Sequence, residues 1–224
     1  MAEKTRRQIS ISVVAAQPDD YPAVAHMLGE NFNTGKYRLA LGGDAGRRVQ
    51  LIEALLKHGA LAPGKLYVAR MEDGQVAGTA VLKIDNAPIS SESRRAALHD
   101  MAAVAGRARA QWATLALRLF NSPKVRPDNC YLDNLVVAPE FRRRGIALDL
   151  AHGLYQAARE HGKREMFADA LSNNERVFAL IRLEGWEVVH RNYLMAPITL
   201  PLLGFAGIFR VRKRLDDDPP ATDS

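Results

Sequence analysis

Leu135-Val136-Val137-Ala138-Pro139-Glu140-Phe141-Arg142-Arg143-Arg144-Gly145-Ile146-Ala147 is the stretch on which the fold of this chain turns. An apolar, β-branched run stops at Pro139, three arginines and a glycine follow, and a helical apolar period starts at Ile146. Amides at a helix start lack intrahelical acceptors and sit at the positive end of the helix dipole, so such a junction suits a phosphate or pyrophosphate. The guanidinium groups of Arg142, Arg143 and Arg144 would add charge-assisted bonds. A solvated arginine run capping a helix fits the same residues equally well. The spacing is neither Gly-x-x-x-x-Gly-Lys-Ser/Thr nor Gly-x-Gly-x-x-Gly, which excludes a Walker loop and a dinucleotide fingerprint.

On either side the hydrophobic period alternates between strand and helix. Residues 130–138 read as a strand, 146–161 as a helix, 165–168 as a short strand, 174–184 as a helix and 186–195 as a strand. Upstream, residues 65–71 and 76–84 form a hairpin around Glu72-Asp73-Gly74-Gln75. Before it come a first strand over residues 9–16, a helix through Val24, Met27 and Leu28 behind the capping carboxylates Asp19 and Asp20, and a helix carrying Val49, Ile52, Leu55 and Leu56. The order implies a single α/β domain with one mixed, mostly antiparallel sheet and helices on both faces. Between hairpin and strand, Leu98, Met101, Ala105, Ala108, Trp112, Leu115 and Leu119 recur at helical steps, predicting one long helix or a pair broken near Gly106. That seam would pack on its own domain, with a dimer seam or a substrate lid as alternatives.

The chain has 224 residues, 31 basic against 25 acidic, a formal charge of +6 and 47% apolar residues, an ordinary globular balance. Its single cysteine, Cys130, allows no internal disulfide and has no metal-ligand spacing around it, so a cytoplasmic setting and no metal are expected. Lys4, Arg6 and Arg7 precede an apolar stretch whose alternation reads as strand and not as a leader peptide. The basic residues lack interleaved aromatics, and no nucleic-acid recognition motif is present. Residues 216–224 are acidic and contain proline, which predicts a disordered tail.

Two segments carry a resemblance to the GCN5-related N-acetyltransferase (GNAT) family. Arg142-x-x-Gly145-x-Ala147 fits that family's Gln/Arg-x-x-Gly-x-Gly/Ala signature at the expected strand-to-helix junction. Asn174, followed eleven and twelve positions later by Gly185-Trp186, resembles the family's asparagine, helix and Gly-aromatic segment. The resemblance implies a GNAT-like acyl-CoA N-acyltransferase fold over residues 1–215, with residues 86–127 as a helical insert before the cofactor-binding strand. It also implies acetyl-CoA as cosubstrate. By that analogy the backbone of Arg142, Arg143, Arg144, Gly145, Ile146, Ala147 and Leu148 would hold the pyrophosphate. Leu135, Val136 and Val137 would pair with the pantetheine amides, an N–H near Val136 would serve the thioester carbonyl, and Asn174 would lie beside the cofactor. As an N-cap of its own helix, Asn174 has a second reading.

Strand alternation puts Tyr131, Asp133, Leu135 and Val137 on one face and Cys130, Leu132, Asn134 and Val136 on the other. Tyr131 and Asp133 therefore stand together, where family members project a base, and both are candidate catalytic residues. Paired with one of the many arginines, Asp133 would be structural instead. The family's general-acid tyrosine corresponds to Ile181, which has no proton to give; Tyr131 or Tyr155 could replace it, or the thiolate could leave unaided. The expected activity is acetyl or related acyl transfer to an amine on a small molecule or protein, by direct attack in a ternary complex. The alternative is a catalytically weak acyl-CoA-binding or membrane-surface module. Residues 197–209 are apolar and precede Arg210, Arg212, Lys213 and Arg214, a pattern suited to an anionic membrane surface. Residues 207–214 as the closing strand of the sheet is the favoured reading. A homodimer is a further expectation.

Overall fold

The computed structural model describes residues 11–31, 35–119, 123–193 and 206–216. Seven strands form one sheet in the order β1-β2-β3-β4-β5-β7-β6. They are β1 (Ile11–Ala15), β2 (Lys65–Met71), β3 (Val76–Lys83), β4 (Asn129–Val137), β5 (Glu165–Leu171), β6 (Glu187–Asn192) and β7 (Ile208–Arg214). Only β4 and β5 pair in parallel; the other neighbours are antiparallel. The expected mixed sheet is therefore present, and the 207–214 segment is a strand inserted between β5 and β6. The apolar residues of the membrane-surface reading lie mostly outside the described residues, as do residues 1–10 and 217–224.

Helices α1 (Tyr21–Asn31), α2 (Gly35–Leu41), α3 (Ala45–Lys57), α4 (Ser91–Ala105) and α5 (Arg107–Leu119) enclose an apolar core with Val68 of β2 and Val136 of β4. The other face carries α6 (Ile146–Glu160), whose Ile146, Leu150, Ala151, Leu154 and Ala158 are buried against Tyr67, Ala80, Leu82, Cys130 and Leu132. Each large apolar side chain buried there contributes about 1.5–3 kcal/mol. Beyond it, α7 (Glu175–Leu183) packs Ile181 on Ala170 and Val211. The entry to α1 is fixed by a partly buried ion pair in which Arg70 Nη2 donates to both Asp20 carboxylate oxygens, at 2.7 and 2.9 Å. Asp20 is the buried partner and Arg70 is partly exposed, so removing Arg70, which strands the carboxylate, should cost more than removing Asp20.

Two sequence expectations change here. The short helix α2 has no counterpart in the periodicity reading. The helix pair does break at Gly106 (φ 81), but the buried stripe is Ala97, Met101, Ala110, Ala113 and Ala116, whereas Trp112 and Leu115 are 42% and 51% exposed. The break re-phases α5 relative to α4, and alanines permit close approach to the neighbouring helices where larger side chains would not fit. Trp112 instead lies over α2, its Nε1 donating to the Leu39 carbonyl at 3.0 Å.

Candidate active site

The ladder between β4 and β5 runs from Asn129↔Glu165 to Leu132↔Ala168 and ends there. Beyond that point β4 stays paired with β3 as far as Gly78↔Val137, and β5 stays paired with β7 as far as Leu171↔Ile208. Residues 133–137 and 169–171 thus border a cleft in the middle of the sheet, with main-chain edges suited to strand addition by an extended amide-bearing ligand. A bulge accompanies the parting. Asn134 has φ 54, and the β3–β4 register shifts between Thr79 and Val81, so β4 carries one extra residue.

That extra residue overturns strict alternation along β4. Leu135 and Val137 join Cys130 and Leu132 in the core under α6, whereas Val136 packs on the opposite core. Leu135 and Val137 therefore do not share a face with Tyr131 and Asp133, as two-residue periodicity had implied.

At one end of the cleft the chain passes through Pro139–Phe141, a single 3-10 turn, into the arginine loop. Arg143 (φ 62) and Gly145 (φ 91) both have left-handed backbone, which turns the loop sharply before α6. Of the amides of residues 142–148, the set expected to face a pyrophosphate, those of 143–147 meet no acceptor among the described residues, whereas that of Arg142 donates to the Pro139 carbonyl at 3.3 Å. The Leu148 amide is already engaged, donating to the Gly145 carbonyl at 2.8 Å. Ile146 is 1% exposed, its side chain packed in the core under α6.

The three arginines divide. Arg142 Nε donates to the Val137 carbonyl at 3.1 Å and its Nη2 to Asn31 Oδ1 at 2.8 Å, which ties the loop to the end of β4 and the last turn of α1. Arg144 lies over the Phe141 ring, 5.5 Å from its centroid. Arg143 is exposed and has no side-chain partner among the described residues. Asn174 caps α7, its Oδ1 accepting from the Val177 amide at 3.3 Å.

Polar side chains collect where the strands part. Asp133 follows the last paired residue of β4, and Asp169 holds the same place on β5. Asp133 Oδ1 accepts from the Asn134 amide at 2.9 Å, a bond within the bulge. Tyr131 is 5% exposed and donates its hydroxyl to Asp169; burial, then the charges of Asp169 and Asp133, push its pKa above the ordinary phenol value. Arg210 clamps Asp169 with two bonds, Nε to Oδ1 at 2.9 Å and Nη2 to Oδ2 at 3.0 Å, and this raises the guanidinium's own pKa. Lys83, opposite Tyr131 on β3, donates to the Pro123 carbonyl at 2.8 Å; burial lowers its pKa, opposed by Asp85 and Asp133.

Sequence reading placed Tyr131 and Asp133 together and missed Lys83, Asn31, Asp169 and Arg210. Ile181, which stands where the family has its general acid, is buried among apolar residues, and the other candidate, Tyr155, is 1% exposed, its hydroxyl accepting from Trp186 Nε1 at 2.8 Å. No cluster of metal-ligating side chains occurs among the described residues, and no described helix is long and apolar enough to cross a membrane.

Known proteins give the same reading of the fold. No curated protein matches this chain. Among solved structures, yncA of Salmonella typhimurium, determined with its cofactor acetyl-CoA, superposes with a TM-score of 0.54 at 16% identity, covering 96% of this chain and 99% of that one. The GCN5-related N-acetyltransferase of Kribbella flavida gives 0.56 at 17% identity, covering 91% and 97%. The ribosomal-protein-alanine N-acetyltransferase of Brucella melitensis gives 0.53 at 19% identity, covering 91% and 99%. The sequence model of the Acetyltransferase (GNAT) family matches residues 42–186, a span that holds the cleft, the arginine loop and Asn174, and the chain belongs to that family, whose acyl donor is acetyl-CoA.

Proposed function

We propose that the protein transfers an acetyl group from acetyl-CoA to an amine by direct attack in a ternary complex, with Asp133 as the base. The observation that carries this reading is the cleft itself. Free amides at residues 143–147 lie at its mouth and a carboxylate at its apex, at the two ends of the edge offered by residues 133–137. In this reading the loop amides with Arg143 and Arg144 bind the diphosphate, and the main chain of Leu135, Val136 and Val137 receives the pantetheine amides.

The chemistry needs a neutral amine, a polarised carbonyl and a leaving thiolate. Asp133, half-buried beside the cleft, accepts the proton that the attacking ammonium must lose, directly or through one water. An N–H near Val136 polarises the carbonyl. The C–N bond forms, the C–S bond breaks, and the thiolate leaves without a tyrosine acid, which a thiol reference pKa of about 8.5 permits. Tyr131, whose proton is directed at Asp169, orders the polar face next to Asp133 and keeps its own proton.

Direct attack is supported by the state of the only cysteine. Cys130 is fully buried, burial pushes its thiol up to about 12, and its S–H points at the Glu165 carbonyl at 3.5 Å, so it cannot serve as an acyl carrier. The test is release of free coenzyme A from acetyl-CoA across a panel of primary amines. Turnover that requires both substrates together, and falls about a hundredfold in Asp133→Asn, is expected. Acetylated enzyme accumulating in the absence of amine would overturn direct attack.

A further inference from the structure

On the helical side of the molecule, Gly42-Gly43-Asp44 joins α2 to α3 and borders a hollow of about 270 Å³ lined by Leu41, Gly42, Gly43, Asp44, Arg47 and Arg109. Two arginines from separate helices, Arg47 of α3 and Arg109 of α5, therefore line one small cavity. Neither side chain has an ionic or hydrogen-bonding partner among the described residues. Arg109 lies directly on the turn, since a Cβ at Gly42 would fall 2.6 Å from its Nη2, and the φ of +97° at Gly42 suits glycine alone. The one carboxylate in the lining is engaged locally, Asp44 Oδ1 accepting from the Arg47 amide at 2.7 Å. The lining is net positive.

A third arginine shapes this turn from behind. Arg48 is 2% exposed and does not line the hollow; its Nε donates to the Gly29 carbonyl at 2.7 Å, and its Nη1 donates to the carbonyls of Gly42 and Gly43 at 2.9 and 3.0 Å. Burial lowers its pKa, so the fold carries a desolvated cation in order to fix two successive peptide planes. In a trans peptide the N–H points opposite to the C=O, and the described chain has no cis bonds. With both carbonyls turned toward Arg48, the amides of Gly43 and Asp44 point away from it, and neither has an acceptor among the described residues.

We propose that this hollow is a binding site for a small anion, the carboxylate or phosphate group of a ligand, held by the Arg47 and Arg109 side chains and the amides of Gly43 and Asp44. A cavity of this size takes one anionic group with a few further atoms and is too small for coenzyme A. None of its lining residues belongs to the arginine loop, and the proposal does not depend on acetyl transfer.

Amide-resolved NMR titration of the full chain tests it, with inorganic phosphate in one arm and acetate in the other, at constant ionic strength. The Gly43 and Asp44 amides are expected to shift saturably, and the arm that saturates at lower concentration names the group. The Arg47→Gln/Arg109→Gln variant should weaken binding by about tenfold or more, and Arg143→Gln should leave it unchanged. Absence of saturable shifts at Gly43 and Asp44 up to tens of millimolar in both arms would overturn the proposal, as would equal affinity in the folded double variant. Should that variant lose its native spectrum, the wild-type titration decides alone: shifts confined to residues 143–147 refute the site, and shifts at Gly43 and Asp44 support it.

Discussion

Arg142 and Asn31 are 111 positions apart in sequence and joined by a 2.8 Å bond from Nη2 to Oδ1. The first arginine of the family signature is thus a strut between β4 and α1, and in the proposed function the diphosphate is left to Arg143, Arg144 and the loop amides. Asn31 is itself held, its Nδ2 donating to the Met27 carbonyl at 2.8 Å, so the strut has a fixed footing.

Arg142→Gln should therefore act on the loop and not on the ligand's charge. Loss of two partly buried bonds to a charged group costs about 1.5–3 kcal/mol of stability, and a loosened loop should weaken acetyl-CoA binding about tenfold. Asn31→Ala should reproduce most of the affinity loss although it removes no charge. Calorimetry on both variants decides it: if Asn31→Ala binds acetyl-CoA as wild type does, the strut does not position the loop.

Gly145→Ala tests the loop's backbone. A Cβ there would meet no protein atom closer than 3.9 Å, so any effect comes from the φ of +91° and not from crowding within the fold. Stability should drop by about 1 kcal/mol, read from the denaturation midpoint, and acetyl-CoA affinity should drop with it. Retained stability with lost affinity would mean that only close approach of the ligand requires glycine.

Asp133 and Tyr131 should separate kinetically. Asp133→Asn removes the base, so its loss of turnover should be largest at low pH, where more of the amine is protonated, and should lessen as pH rises. Tyr131→Phe, which removes a proton already directed at Asp169, should keep turnover within about threefold and lose about 1 kcal/mol of stability. A hundredfold loss of turnover in folded Tyr131→Phe would make the tyrosine a participant in proton transfer.

How far the sequence carried the reading depends on what each feature leaves in the local pattern. The strand-to-helix junction at 135–147 and the asparagine-helix-Gly-Trp segment were legible because proline, glycine and capping residues mark boundaries that periodicity alone blurs. The bulge was not, since an asparagine with positive φ leaves no trace in an alternating run, and the face assignment beyond residue 134 inverted as a result. Asp169 lies one residue past the expected end of its strand at 168, just where the cleft opens. Arg210 belongs to a stretch read as the closing strand, with a basic membrane-facing tail as the alternative; its place beside Asp169 follows from β7 entering between β5 and β6, an order that no local spacing encodes. The α4 half of the helix seam, Leu98, Met101 and Ala105, does pack on the core, but the α5 half failed because burial there depends on how alanine faces pack, and the apolar period favoured the larger side chains.

Cys130 supplies a prediction that holds whatever the acceptor is. Burial raises its thiol to about 12, with Lys163 opposing, so the folded state favours the neutral form. A group whose folded pKa lies above its unfolded value contributes stability that is whole below the unfolded pKa, about 8.5 for cysteine, and is lost as pH rises toward the folded one. The unfolding free energy should therefore decline between about pH 8.5 and 12, and in Cys130→Ala the decline should be shallower by the cysteine's share. At pH 8 the native protein should resist thiol-labelling reagents, with modification only at the rate of unfolding and complete reaction in denaturant. Labelling of the native protein at the rate of a free thiol would show that Cys130 reaches solvent, and would reopen the acyl-enzyme route that direct attack excludes.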